Sequence, residues 1–158
     1  MLDDFENRIT ALKGFDFGQE LETIVENNSE KITEYVRKQL EAGIDGNNEP
    51  NKIFDRTEYR PLTIEIKKER GSGLGAVTDH ITNYMTGSFY NSLKTDVEGN
   101  VFEEDSDVSY FGDIRLYSSD ALLEVNETNR KEFAETVTLP GIQEALLAKT
   151  GLKITRNG

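Results

Sequence analysis

Asp79-His-Ile-Thr-Asn-Tyr-Met-Thr-Gly-Ser-Phe-Tyr-Asn-Ser-Leu-Lys-Thr-Asp-Val97 is the run whose reading decides the fold. Thr86-Gly87 suits an abrupt change of backbone direction, because glycine takes up conformations closed to other residues. Phe89 and Tyr90 follow at once. Then Leu93, Thr95 and Val97 alternate with Lys94, Asp96 and Glu98, the period-2 pattern of a half-buried strand. The run therefore predicts a sharp turn feeding a strand. Downstream, the pattern predicts an antiparallel meander: Ser92 to Val97, a turn at Glu98-Gly99-Asn100, Val101 to Glu103, Val108 to Phe111 and, after Gly112-Asp113, Ile114 to Tyr117.

Upstream the period changes to that of a helix. Leu2, Phe5, Ile9 and Leu12 predict one buried face of a short helix that stops at Gly14. Asp16 with Gln19 has the form of a capping box, and it opens a longer stripe of Leu21, Ile24, Val25, Ile32, Tyr35, Val36 and Leu40. The stripe is interrupted at Asn28 and stops at Gly43; Glu22, Glu26, Glu30, Glu34, Arg37, Lys38 and Glu41 form its solvated face. Residues 44–76 read as a loop and linker region, within which Leu62 to Arg70 leans to helix. Beyond the sheet, Ser118-Ser119-Asp120 leads into a helical turn, and Asn129 with Glu132 resembles a second capping box. Pro140 fits the first turn of a last helix that ends at Thr150-Gly151, and Leu152-Lys153-Ile154 suits an edge strand. The expected architecture is a single α+β domain in which a long amphipathic N-terminal helix packs on a meander of three or four strands. Its parts are a helical hairpin at 1–43, the linker at 44–76, turn and sheet at 77–117, and short helices with a tail at 118–158.

The composition narrows the chemistry. At 158 residues the chain can bury about two thirds of its unfolded surface without a staple. It has no cysteine, which removes thiolate zinc sites, thiol nucleophiles and disulfides, and its one histidine, His80, rules out a His-His metal pair. A net charge of −12 repels a phosphate backbone, and the best basic cluster, Lys67, Lys68 and Arg70, sits beside Glu65 and Glu69. Direct nucleic-acid binding is not expected. Met1 leads into Asp3, Asp4 and Glu6, without the basic and apolar segments of a secretory leader, and no run approaches a membrane span. Synthesis in the cytoplasm is expected.

Local motifs give little catalysis. Asp45, Asn47 and Glu49 alternate like a calcium loop, but Pro50 stands where the turning glycine belongs and Arg56 where the closing glutamate belongs. Gly71-Ser-Gly-Leu-Gly75 lacks the preceding strand and following Lys-Ser of a phosphate loop and reads as a hinge. Asp79 beside His80 could orient an imidazole, with no nucleophile specified. Glu103, Glu104, Asp105 and Asp107 cluster in a polar connection. No cofactor and no metal are expected.

The order of parts carries more than any single motif. Tyr59-Arg-Pro-Leu-Thr63, then Lys67-Lys68 ending in Gly71, then Met85-Thr-Gly-Ser-Phe-Tyr-Asn-Ser-Leu93 before a strand, resembles a group of small tailed-phage and prophage proteins. The match is carried by Tyr59, Thr63, Lys67, Lys68 and Gly71, and by Thr86, Gly87, Phe89, Tyr90, Ser92 and Leu93, within residues 20–117. Ser88 departs from the pattern, which has Asp after Thr-Gly, and the segment from Leu122 matches only loosely. The resemblance implies a non-catalytic head-tail joining or tail-completion protein, with Tyr59, Thr63, Thr86, Gly87, Phe89, Tyr90 and Leu93 as structural or interaction residues. It further implies protein partners, either other virion proteins or copies of the chain in a ring, and a place in the virion on assembly. Two readings of the residues stay open beside it. One is an acidic module that binds a basic protein; the other is a hydrolase in which Asp105, Asp107, Asp113 or Asp120 converge in a cleft.

Overall fold

A computed structural model describes residues 2–84, 86–98 and 101–151. The chain is a mixed helical and sheet protein that forms two compact units: Met1–Asn28 with Val97–Phe102 and Lys131–Gly158, and Ser29–Asp96 with Glu103–Arg130.

In the first unit, α1 (Leu2–Lys13) and α2 (Phe17–Asn27) pack with α8 (Leu139–Thr150). Asp16 caps α2 as expected, its carboxylate accepting the Gln19 N–H at 3.0 Å. The helix does not continue into the next stripe. At Asn28 the backbone leaves the helical region (φ −122, ψ 17) and the side-chain amide donates to the Ile24 carbonyl at 2.8 Å. The expected long helix is thus two helices, because asparagine offers the carbonyls of the last turn a donor of its own. The α1 face also departs from expectation, since Ile9 and Leu12 are exposed. Among the described residues of this unit, Phe15, Val25, Phe133 and Leu146 are the buried apolar ones. Gly141 permits close packing of α8 on α2: a Cβ there would stand 2.9 Å from Ile24 Cδ1. Ahead of α8, Ala134–Thr138 is a π turn in which the Leu139 N–H reaches back to Ala134. Pro140 has no N–H and would collide with the carbonyl four residues before it, and widening the turn accommodates it within helical backbone. Gly151 (φ +67) ends α8, as its sequence predicts.

In the second unit, α3 (Ser29–Glu41) buries Ile32, Tyr35, Val36 and Leu40. Gly43 (φ +71) stops it: Gly43 N–H bonds to Leu40 and Ile44 N–H to Gln39, the paired bonds of a Schellman end. Then come α4 (Pro61–Arg70), a 3₁₀ turn at Gly73–Ala76 and α5 (Ser88–Ser92). A two-stranded antiparallel sheet of β1 (Leu93–Glu98) and β2 (Val101–Ser106) follows. The alternation in β1 is as expected, with Leu93 buried and Lys94, Asp96 and Glu98 exposed. The meander stops there. Val108 to Phe111 and Ile114 to Tyr117, expected as strands, are instead a turn closed by the Phe111 N–H on the Val108 carbonyl and helix α6 (Phe111–Tyr117). Leu116 is exposed, so an alternating apolar face has nothing to cover it; a helix satisfies its own backbone without a neighbouring strand. Gly87 (φ +85) turns the chain as expected, but into α5 rather than directly into β1.

The last helical segment of this unit begins α7 (Glu127–Phe133), and its cap is Asn126 rather than Asn129. Asn126 Oδ1 accepts the Asn129 N–H at 2.9 Å, while the buried Gln39 accepts from Asn126 N–H (2.9 Å) and from Asn129 Nδ2 (3.0 Å). The expected turn at Gly99-Asn100 and the tail strand at 152–154 lie outside the described residues.

Candidate functional site

Residues of the segments 59–71 and 85–93 meet in one buried polar cluster. Pro61 presets the first turn of α4, and that helix carries Lys67 inward until it is 1% exposed. Its ammonium donates to the Tyr84 carbonyl at 2.7 Å and lies 4.8 Å from the centre of the Tyr59 ring. Tyr59 Oη accepts the Thr82 N–H at 3.0 Å, and Thr82 Oγ1 accepts the Tyr84 N–H at 3.2 Å. Tyr90 comes from α5 and donates its hydroxyl to the Thr82 carbonyl at 2.5 Å, with its ring edge-on to Tyr84 at 4.9 Å. Burial, and then the carboxylate of Glu41 with Tyr59 and Tyr84, pushes the Tyr90 hydroxyl well above the usual tyrosine range, so it stays a neutral donor.

Tyr59, Lys67 and Tyr90 therefore converge on Thr82 and Tyr84, two residues that the sequence reading did not single out. Phe89 and Leu93 are buried nearby in sequence, Thr63 is half-buried, and Thr86 is exposed with its hydroxyl 2.8 Å from that of Ser88. Both glycines of the motifs are sterically required. A Cβ on Gly87 would meet Tyr84 Oη at 2.7 Å, and one on Gly71 would meet the Gly75 carbonyl oxygen at 2.3 Å. The cluster holds cation, ring and carbonyl together; its hydrogen bonds set no base against a nucleophile.

The other candidate groups fall on structural duties. His80 Nε2 bonds to the Glu41 carbonyl at 2.9 Å and Nδ1 pairs with its neighbour Asp79 at 2.9 Å. The imidazole lies against Gly43, where a Cβ would be 2.4 Å from His80 Cδ2, and it caps the end of α3. Asp45 Oδ1 accepts the N–H groups of Asn47 and Glu49, and Oδ2 accepts from Ser119, which makes this stretch a side-chain-stapled turn. No group of three metal-ligating side chains occurs among the described residues. Asp105 and Asp107 pair with Lys94 at 3.8 and 3.1 Å, and the Asp107 hydrogen bond raises the Lys94 ammonium above its usual range. Asp113 and Asp120 are exposed. Arg37, expected on a solvated face, instead donates to the Tyr90 carbonyl at 2.9 Å and the Leu93 carbonyl at 3.1 Å.

One surface feature stands apart. Ile53 and Arg56 exchange backbone hydrogen bonds at 2.9 and 3.1 Å around a turn whose central residues, Phe54 (φ +52) and Asp55 (φ +62), are both left-handed. Such a turn favours Asn-Gly, and a non-glycine residue in it costs about 1–2 kcal/mol. Phe54 is 51% exposed, its ring centre 4.1 Å from that of Tyr117 and 5.8 Å from the Arg60 guanidinium. Its N–H donates to the Tyr117 carbonyl at 2.8 Å. The only sequence signal for this site is the apolar pair Ile53-Phe54 in an otherwise polar loop. Among the described residues no helix is long and apolar enough to cross a membrane. Comparison of the chain with family models, with curated proteins and with solved structures gave no match.

Proposed function

We propose that the chain is a non-catalytic protein of tailed-phage or prophage virion assembly, of the head-tail joining or tail-completion type, which binds neighbouring virion proteins or further copies of itself. The observation that carries this reading is the Phe54–Tyr117 pair: two rings in tilted contact, open to solvent, on a turn that is strained to present one of them. Backbone strain of this kind persists where surrounding structure enforces it, and it concentrates at binding sites. Exposed aromatic residues flanked by arginine are the side chains that dominate protein interfaces. The matched motif residues support the same reading, because Tyr59, Lys67 and Tyr90 shape a scaffold and leave no reactive group at the surface.

The test is mass spectrometry of purified particles after prophage induction, with the chain quantified against the major capsid protein. Presence at the stoichiometry of a single ring supports the proposal. Absence from intact particles made by cells that express the chain favours a transient factor or the acidic binding module. At the level of the site, Phe54→Asn places a residue that tolerates the left-handed region where the ring now stands. Stability by urea unfolding is expected to change by no more than about 1 kcal/mol, since relieved strain offsets lost stacking. Incorporation into particles is expected to fall at least about tenfold. Unchanged incorporation removes Phe54 from the interface.

A further inference from the structure

Glu104 of β2 is 6% exposed and belongs to a cluster that is short of protons. Thr95 Oγ1 of β1 lies 2.7 Å from Thr33 Oγ1 of α3 and 3.1 Å from the Ser29 carbonyl oxygen, and it is bonded to Glu104 Oε1. Thr33 Oγ1 stands 3.2 Å from that same Oε1. Four oxygen-to-oxygen contacts therefore have two hydroxyl protons between them. The Ser29 carbonyl can only accept, and Thr95 has a single proton to divide between it and Glu104 Oε1. With that proton directed to Ser29, the contact of Thr95 with an ionised Glu104 sets lone pair against lone pair. A proton on the carboxyl turns it into the donor and resolves the conflict.

The second carboxyl oxygen points the same way. Glu104 Oε2 is buried without a partner. As half of a carboxylate it would be a charge with nothing to meet it, whereas as the carbonyl of an acid it is a neutral acceptor, much cheaper to leave unpaired. The charged groups that face the cluster are Arg37 and Glu30, both on α3. Arg37 directs its guanidinium to the Tyr90 and Leu93 carbonyls and to Glu30, and Glu30 itself opposes a second negative charge. On β1, Lys94 is exposed and pairs with Asp105 and Asp107.

We propose that Glu104 carries a proton in the folded chain and that this proton latches the β1–β2 hairpin to α3. Burial, the largest influence, raises its carboxyl above the ordinary glutamate range; the bonds from Thr95 and Thr33 and the charge of Arg37 act against it, and Glu30 adds to it. A carboxyl raised on folding stabilises the fold fully below its unfolded pKa, near about pH 4.3, and loses that stabilisation as pH rises through the folded value. Between those two values the unfolding equilibrium constant of the wild type rises about tenfold per pH unit relative to a variant without the group. Glu104→Gln supplies a neutral side chain of the same shape that can still donate. Its stability relative to wild type is expected to grow as pH rises above the unfolded value of about 4.3, with thermal unfolding followed from acid to neutral buffer.

Two readouts separate the proton from mere packing. In carbon-13-labelled wild type, the Glu104 carboxyl resonance is expected at its protonated position at about pH 5.5, above the range of a free glutamate. Hydrogen exchange of the β1 and β2 amides is expected to quicken on raising the pH more than the intrinsic chemical rate does, and to do so in wild type and not in Glu104→Gln. An ionised carboxyl resonance at that pH overturns the proposal, as does a Glu104→Gln protein whose stability tracks the wild type at every pH. The resonance is read on the wild type, so the answer does not depend on the variant folding.

Discussion

Replacing Phe89 by alanine is expected to destabilise the chain by about 3–5 kcal/mol, the cost of removing a large buried ring and leaving its cavity. Phe89 is 2% exposed, on the turn of α5 that Gly87 initiates. Its ring lies near-perpendicular to Tyr90 at 6.0 Å and tilted toward Phe111 at 6.1 Å, so it joins α5 to α6. Neither neighbour can collapse freely into the space, because Tyr90 is fixed through its hydroxyl to Thr82 and Phe111 opens a helix. Urea unfolding followed by far-UV circular dichroism measures the loss, since the chain has no tryptophan. The midpoint should fall with the slope unchanged, the signature of altered stability rather than an altered unfolded state. A loss well under about 1 kcal/mol would put Phe89 outside the core.

The second large effect is at Lys67. Truncation to alanine removes a buried aliphatic stem, its contact with the Tyr59 ring and the side-chain donor to the Tyr84 carbonyl, and is expected to cost about 3–5 kcal/mol. Lys67→Met decides between stem and charge. It restores the stem and leaves the carbonyl unpaired, a penalty of about 1–3 kcal/mol. Against that, an ammonium no longer has to be desolvated, and replacing buried ions by apolar residues is often close to neutral. Methionine is therefore expected to recover at least half of the alanine loss. If methionine is as damaging as alanine, the charge and its carbonyl bond outweigh the packing of the stem. Denaturant midpoints of the three proteins under one buffer make the comparison.

What the sequence made legible follows from how local each signal is. The Asp16 cap, the Schellman end at Gly43, the lean of Leu62 to Arg70 toward helix and the stop at Gly151 each depend on a few adjacent residues, and all four stand. The apolar stripe is interrupted at Asn28 but resumes in nearly the same phase, so the helix period alone does not tell an interruption from a helix end. Residues 111–117 were misjudged for a related reason: Ile114 and Leu116 alternate over too few residues for period 2 to outweigh the absence of a partner strand. Asn126 and Asn129 are equally good caps by residue type, and Gln39, far away in sequence, pairs with both.

The site was hidden more thoroughly. Pattern reading sends every charge to the surface, yet Lys67 and Glu104 are interior and Arg37 ties backbone carbonyls. Tyr59, Lys67 and Tyr90 could be picked out by motif, but their meeting at Thr82 is a tertiary fact. Asp55 tolerates the left-handed region but Phe54 does not suit it, so no local rule marks the pair as a left-handed turn.

The seclusion of Lys67 also makes it a natural timing device. Every other lysine among the described residues is exposed or partly exposed, and an amine-reactive reagent will acylate those within its ordinary reaction time. Lys67 reacts only after α4 lifts from Tyr59 and Tyr84, so the lag between its labelling and that of its exposed neighbour Lys68, read on one peptide in one experiment, clocks how often this part of the chain opens. The same pair of lysines would register a partner that clamps the unit shut, as a lengthening of that lag, without any engineered probe.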